Sequence, residues 1–134
     1  MDEIKTAAAK ACLDGAYAAT MDFPTIVGTL IGVGFEGYTV DYRRGTATYY
    51  GTDGRSIELP IPADDEHVAP DFSAERIKAA IYEAQTGAPG YTYKGFCRKV
   101  KAAGCAGYIV SFPGARVAYF GRSAEIHVEH FPNR

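Results

Sequence analysis

The chain has 134 residues, 47% of them apolar, and a formal net charge of −2. That length suits a single domain, which would bury roughly two-thirds of its unfolded surface, and the apolar content argues against disorder. Near-neutral charge gives no global case for nucleic acid or an anionic membrane, and no apolar run approaches the ~20 residues that cross a bilayer.

The opening Met1-Asp2-Glu3-Ile4-Lys5 is acidic, unlike a secretory signal. A first helix is predicted from about Glu3 to Ala18. A shorter one follows, with Asp22 as its cap, Pro24 in its first turn, Ile26, Val27, Leu30 and Ile31 inward, and Gly34 as its stop. Tyr38, Val40 and Tyr42 then alternate with Thr39 and Asp41 as a strand expects. Arg44-Gly45 turns the chain into Thr46–Tyr50, and the hairpin signal Asp53-Gly54 leads into Ser56–Pro60. Proline and acid in Pro60-Ile61-Pro62-Ala63-Asp64-Asp65-Glu66-His67 make residues 61–72 a connector.

Helical periodicity returns over Ala74–Thr86, where Ile77, Ala80, Ile81 and Ala84 form a stripe, Ser73 caps the start and Gly87 ends it. Thr92 opens a second short helix that Gly104 stops. Strands follow at Tyr108–Phe112, Arg116–Phe120 and Glu125–Phe131, with a Pro113-Gly114 turn after the first.

A shift of 70 aligns the two halves: Gly34, Gly37, Tyr38, Val40, Tyr49 and Gly51 fall on Gly104, Gly107, Tyr108, Val110, Tyr119 and Gly121. One deletion near Asp53 would then set Ile57 and Leu59 on Ile126 and Val128. Matches at turn glycines and core positions point to duplication of a supersecondary unit. The expected fold is α+β: a tandem α-α-β-β-β duplication with an antiparallel sheet, helices on one face and a pseudo-twofold axis. Repeat 1 covers about 3–60 and repeat 2 about 73–132, in one domain spanning 1–134.

Tyr49-Tyr50-Gly51, Gly104-Cys105 with Tyr108 and Val110, Tyr119-Phe120-Gly121-Arg122 and His127-Val128-Glu129-His130-Phe131-Pro132 resemble the YbcV-like proteins, domain-of-unknown-function family 1398. The resemblance covers essentially the whole chain; Lys94-Gly95 departs from the Pro-Glu that relatives tend to carry. It implies a small bacterial or phage-borne protein, a kind sometimes labelled phage envelope protein, and brings no catalytic residue with it.

His127 and Glu129, two apart on a strand, are expected on the face opposite Ile126 and Val128, with Asp41, Glu58, Ser111 and Tyr50 also turned away from the core. An imidazole beside a carboxylate can act as a base or hold an anion. The bland alternative is a surface polar pair worth ~0.2–1 kcal/mol. His127 and His130, three apart, face opposite sides, and the cysteines have no ligand-type spacing, so neither metal nor cofactor is expected.

Cys12, Cys97 and Cys105 read as free thiols in a reducing cytoplasm, which sets the expected location. Cys97 and Cys105 align with Val27 and Phe35, so both are expected in the core. Lys94, Arg98 and Lys101 form a basic stripe that could meet an anion or an acidic partner. Residues 1–67 carry 5 Lys/Arg and 11 Asp/Glu (−6), and residues 68–134 carry 9 and 5 (+4), an asymmetry that suits a homodimer.

The leading expectation is a non-enzymatic binding module, with Asp41, Tyr50, Phe120, His127 and Glu129 lining a cleft or sheet face at the repeat interface for a small polar ligand or a protein. A hydrolase or isomerase using His127 as base and Glu129 to orient it is the alternative, and a phage-derived structural or host-interaction protein a third.

Overall fold

The computed structural model describes residues 2–132. Its elements are α1 (Glu3–Tyr17), α2 (Phe23–Gly32), β1 (Phe35–Asp41), β2 (Thr46–Gly51), β3 (Ser56–Pro60), α3 (Ala74–Thr86), α4 (Tyr93–Ala102), β4 (Cys105–Ser111), β5 (Arg116–Gly121) and β6 (Ile126–His130). The fold is α+β, with the strands in one open sheet of order β3-β2-β1-β4-β5-β6, every neighbour antiparallel. No described helix is long and apolar enough to cross a membrane.

Each helix starts where its sequence supplies an acceptor for an orphan backbone N–H. Asp2 accepts from Lys5 N, Asp22 from Thr25 N, Ser73 from Arg76 N and Thr92 from Gly95 N. α2 and α4 run out at Gly34 and Gly104, whose φ angles of +99° and +91° reverse the chain into β1 and β4. In α2 only Ile26 and Leu30 are buried; Ile31, expected inward, is 52% exposed because the apolar stripe follows the i, i+4 row.

The helices cover one face of the sheet. Tyr38 and Val40 of β1, Ala47 and Tyr49 of β2, Tyr108 and Val110 of β4, and Val117 and Tyr119 of β5 point to that side and are buried with Ile77, Ile81, Phe96 and Val100 of the helices. Ile57 and Leu59 of β3 oppose Tyr49 and Ala47, and they extend this core to one edge.

At the other edge the sequence expectation fails. Ile126 and Val128 oppose Phe120 and Ala118 on the helix-free face and are 59% and 40% exposed, whereas His127 and Glu129 oppose Tyr119 and Val117 on the helix side. No deletion separates the halves: β3 begins at Ser56 and β6 at Ile126, 70 positions later, the same spacing as Thr46 and Arg116. His127 and Glu129 therefore hold the positions that Ile57 and Leu59 hold in β3. A one-residue slip in register transfers every side chain to the other face. Asp41, Tyr50, Glu58 and Ser111 do lie on the helix-free side, as expected.

Candidate functional site

His127 and Glu129 sit at the margin of the core, their side chains 17% and 30% exposed. His127 Nε2 lies 3.2 Å from Glu129 Oε1, and the imidazole stacks on Tyr119 with ring centroids 6.4 Å apart. Glu129 borders an open groove against α3, lined also by Glu75, Lys78, Tyr82 and Gln85. A carboxylate bonded to an imidazole can orient it as a base. Among the described residues Glu129 is the one hydrogen-bond partner of the His127 side chain, and no group of three His, Cys, Asp or Glu is placed to hold a metal ion.

Asp41, Tyr50 and Phe120 occupy the opposite, helix-free face, so the five residues expected to share one site are split by the sheet itself. Asp41 opposes Gly107, which opposes Phe120. The Phe120 ring lies over Gly107, where a Cβ would come within 2.7 Å of it. Asp41 is occupied in its own turn, accepting from Arg43 N at 3.0 Å and Arg44 N at 3.1 Å. Tyr50 is exposed between Gly37 and Ser56.

Two apolar rows complete this face: Ile109, Ala118 and Val128 in cross-strand line, and Phe120 beside Ile126. Ile109 is 46% exposed. The first row continues across β1, β2 and β3 as Thr39, Thr48 and Glu58, so that row is apolar over β4–β6 and polar over β1–β3. Assigning Ile126 and Val128 to the core hid these rows from sequence reasoning.

The basic stripe of α4 is largely taken up within the chain. Lys101 Nζ lies 2.7 Å from Asp64 Oδ1, with both side chains less than a tenth exposed. Arg98 meets Asp65 at 2.7 Å and Glu66 at 3.6 Å. The connector lies along α4, its Ala69 N donating to Lys101 O and Ser73 N to Ala103 O. Arg98 and Lys101 thus meet carboxylates of the chain's own acidic connector, which absorbs part of the charge asymmetry. Lys94 is exposed. Burial pushes the Asp64 carboxyl up, but the Lys101 hydrogen bond, the Glu66 N–H and the nearby cations hold it below the usual carboxylate range.

Beside that ion pair is a cluster that no motif announced. Tyr93, Cys97 and Lys101 recur every four residues on α4, near Tyr17, Tyr42 and Tyr108. Tyr17 Oη lies 3.8 Å from Cys97 Sγ, the Tyr93 and Tyr108 hydroxyls are hydrogen-bonded, and Lys101 Nζ is 5.5 Å from the Tyr42 ring centroid. The Tyr42 hydroxyl is shut from solvent without a hydrogen-bond partner among the described residues. Burial raises the Tyr42, Tyr93 and Tyr108 hydroxyls well above their ordinary range, raises the Cys97 thiol, and pushes Cys105 up to about 12. All three cysteines are free and buried, which keeps them from acting as thiolates.

The family described as "Protein of unknown function (DUF1398)" matches residues 16–130. No curated protein matches the chain.

Proposed function

The chain belongs to the DUF1398 family, and for this member we propose a non-enzymatic binding module whose contact surface is the helix-free face of the sheet. One observation carries the reading: Ile109, Val128 and Ile126 stand 40–59% exposed in contiguous cross-strand rows with Ala118 and Phe120. Scattered exposed apolar residues are ordinary, but a contiguous apolar patch on one face marks an interaction site. An apolar patch on a sheet face suits a protein partner better than a small polar ligand. A partner of phage or host origin would use the same surface.

We read the two α-α-β-β-β halves as descendants of one duplicated unit. Phe23 and Tyr93, Phe35 and Cys105, Thr46 and Arg116, and Ser56 and Ile126 each begin equivalent elements 70 positions apart. Thr39 opposes Ile109, its own equivalent, at the middle of the β1–β4 pairing, which is what a pseudo-twofold axis at that point requires.

The test is affinity capture with the wild-type chain and Ile109→Glu in parallel, followed by titration of each captured protein against both. Binding lost in Ile109→Glu, with urea unfolding unchanged, supports the reading. Partners that bind both forms equally refute it. The His127–Glu129 hydrogen bond favours a second reading, a hydrolase or isomerase with an oriented base. It predicts activity abolished by His127→Ala and indifferent to Ile109→Glu.

A further inference from the structure

We propose that two copies of this chain associate through their β6 edges, antiparallel about Val128, into one continuous twelve-stranded sheet, twice the six strands of each copy. The inference rests on the edge of the sheet and is independent of what docks on its face.

Backbone direction comes first. Gly121 N donates to Glu125 O and Phe131 N to Ala115 O, both at 2.9 Å, so residues 125, 127, 129 and 131 turn their peptide groups toward β5. By the alternation of an antiparallel strand, Ile126, Val128 and His130 present N–H and C=O to the free edge. Such a row is a template for another strand.

The side chains then say which strand. With the twofold axis at Val128, that residue opposes the partner's Val128 and Ile126 opposes the partner's His130, as hydrogen-bonded pairs. His127 opposes the partner's Glu129, and Glu129 the partner's His127, as non-hydrogen-bonded pairs, whose side chains approach most closely. The imidazole and carboxylate already lie on the same side and 3.2 Å apart within one copy. Pairing doubles them into an alternating ring of four. On the helix-free face the row Ile109, Ala118, Val128 runs on into the same row of the second copy, and the two Val128 side chains cover one another. On the helix side, Tyr82 of α3 stands 67% exposed beside Glu129 at the groove this pairing would close.

The opposite edge lacks this self-complementarity. Equivalent pairing of β3 would set Glu58 against the partner's Glu58, and Pro60 has no N–H to give. Glu58 is also held by Arg44 at 3.5 Å. One adhesive edge and one guarded edge give a closed, isologous dimer rather than a filament.

Sedimentation velocity on the full chain tests the proposal. The wild type is expected to be dimeric at about 100 μM, an affinity regime within reach of a small interface. Val128→Pro removes an N–H that points to the free edge and leaves the β5–β6 bonds in place. It should weaken association about 30-fold, the equivalent of two backbone hydrogen bonds lost at the axis. His127→Glu, which sets carboxylate against carboxylate, should weaken it as well, and the swap His127→Glu/Glu129→His should restore it. Ile109→Lys, on the sheet face away from the edge, should leave the dimer intact. A monomeric wild type overturns the proposal. So does a dimer that Ile109→Lys dissociates while Val128→Pro does not, because the copies would then meet face to face. Should Val128→Pro not unfold cooperatively in urea, the swap pair decides: a double variant no better than His127→Glu overturns it.

Discussion

Lys101→Met probes how the connector is held to α4. The ammonium lies 2.7 Å from Asp64 Oδ1, with the two side chains 9% and 8% exposed, and methionine keeps the apolar stem while deleting the charge. Removing one partner of a buried pair costs ~3–5 kcal/mol when nothing else meets the stranded charge. Asp64 retains the Glu66 N–H at 2.7 Å and Arg98 Nη1 at 3.7 Å, so a loss of about 2–3 kcal/mol is expected. Lys101→Met/Asp64→Leu should recover most of it, since an apolar pair of similar volume roughly matches a buried ion pair. Urea unfolding of the four-member cycle gives the coupling.

The pH dependence has a definite sign. The Asp64 carboxyl is held low in the folded state, so its contribution is complete above the unfolded value of ~3.9 and is lost as pH falls through the folded one. The gap between wild type and Lys101→Met should therefore close below about pH 4. A loss under about 0.5 kcal/mol, zero coupling, or a gap unchanged in acid would show that this ion pair does not secure the connector.

Ile57→Ser should cost roughly 1–2 kcal/mol and Ile126→Ser under about 0.5, because only the first faces the core; equal losses in urea unfolding would refute the register described for β6. His127→Leu should be neutral or stabilising to the monomer by the same measurement, since it restores an apolar residue where β3 has Ile57. Gly104→Ala combines a φ of +91° with a Cβ 2.2 Å from Asp71 O and should cost above ~3 kcal/mol, whereas Gly34→Ala meets only the Lys5 side-chain end and should cost about 1–2. A thiol reagent should label none of the three cysteines in the native protein within minutes, and burst labelling of Cys97 or Cys105 would contradict their burial.

Local signals in the sequence are kept in the fold. The Asp22, Ser73 and Thr92 caps, the Gly34 and Gly104 reversals and the strand alternation depend on neighbouring residues alone, and each is found where the chain places it. The face of β6 was not legible. Ile126 and Val128 resemble Ile57 and Leu59, and matching them required a deletion, but four residues separate β2 from β3 and four separate β5 from β6. Turn length sets a hairpin's register, and an edge strand tolerates polar residues inward because its margin stays wet. The connector failed differently. Asp64-Asp65-Glu66 and the Arg98/Lys101 stripe were both visible, yet nothing in the sequence says that a segment without regular structure folds back along α4. The tyrosine hydroxyls around Cys97 come from α1, the β1–β2 turn, α4 and β4, and convergence of that kind belongs to tertiary structure alone.

The central seam of the sheet has a kinetic consequence. Hairpin partners such as Tyr49 and Ile57, or Tyr119 and His127, are 8 positions apart, whereas Gly37 and Ser111 on the β1–β4 seam are separated by 74. Each three-stranded meander can thus form by closing short loops, but the seam must close across a whole half-chain and its connector. Closure entropy grows only logarithmically with length, yet it has to be met before the seam's contacts form. The β1–β4 ladder is therefore where the folding barrier should sit. Substitutions at Val40 or Val110 should slow folding, while those at Leu59 or Glu129 should chiefly hasten unfolding.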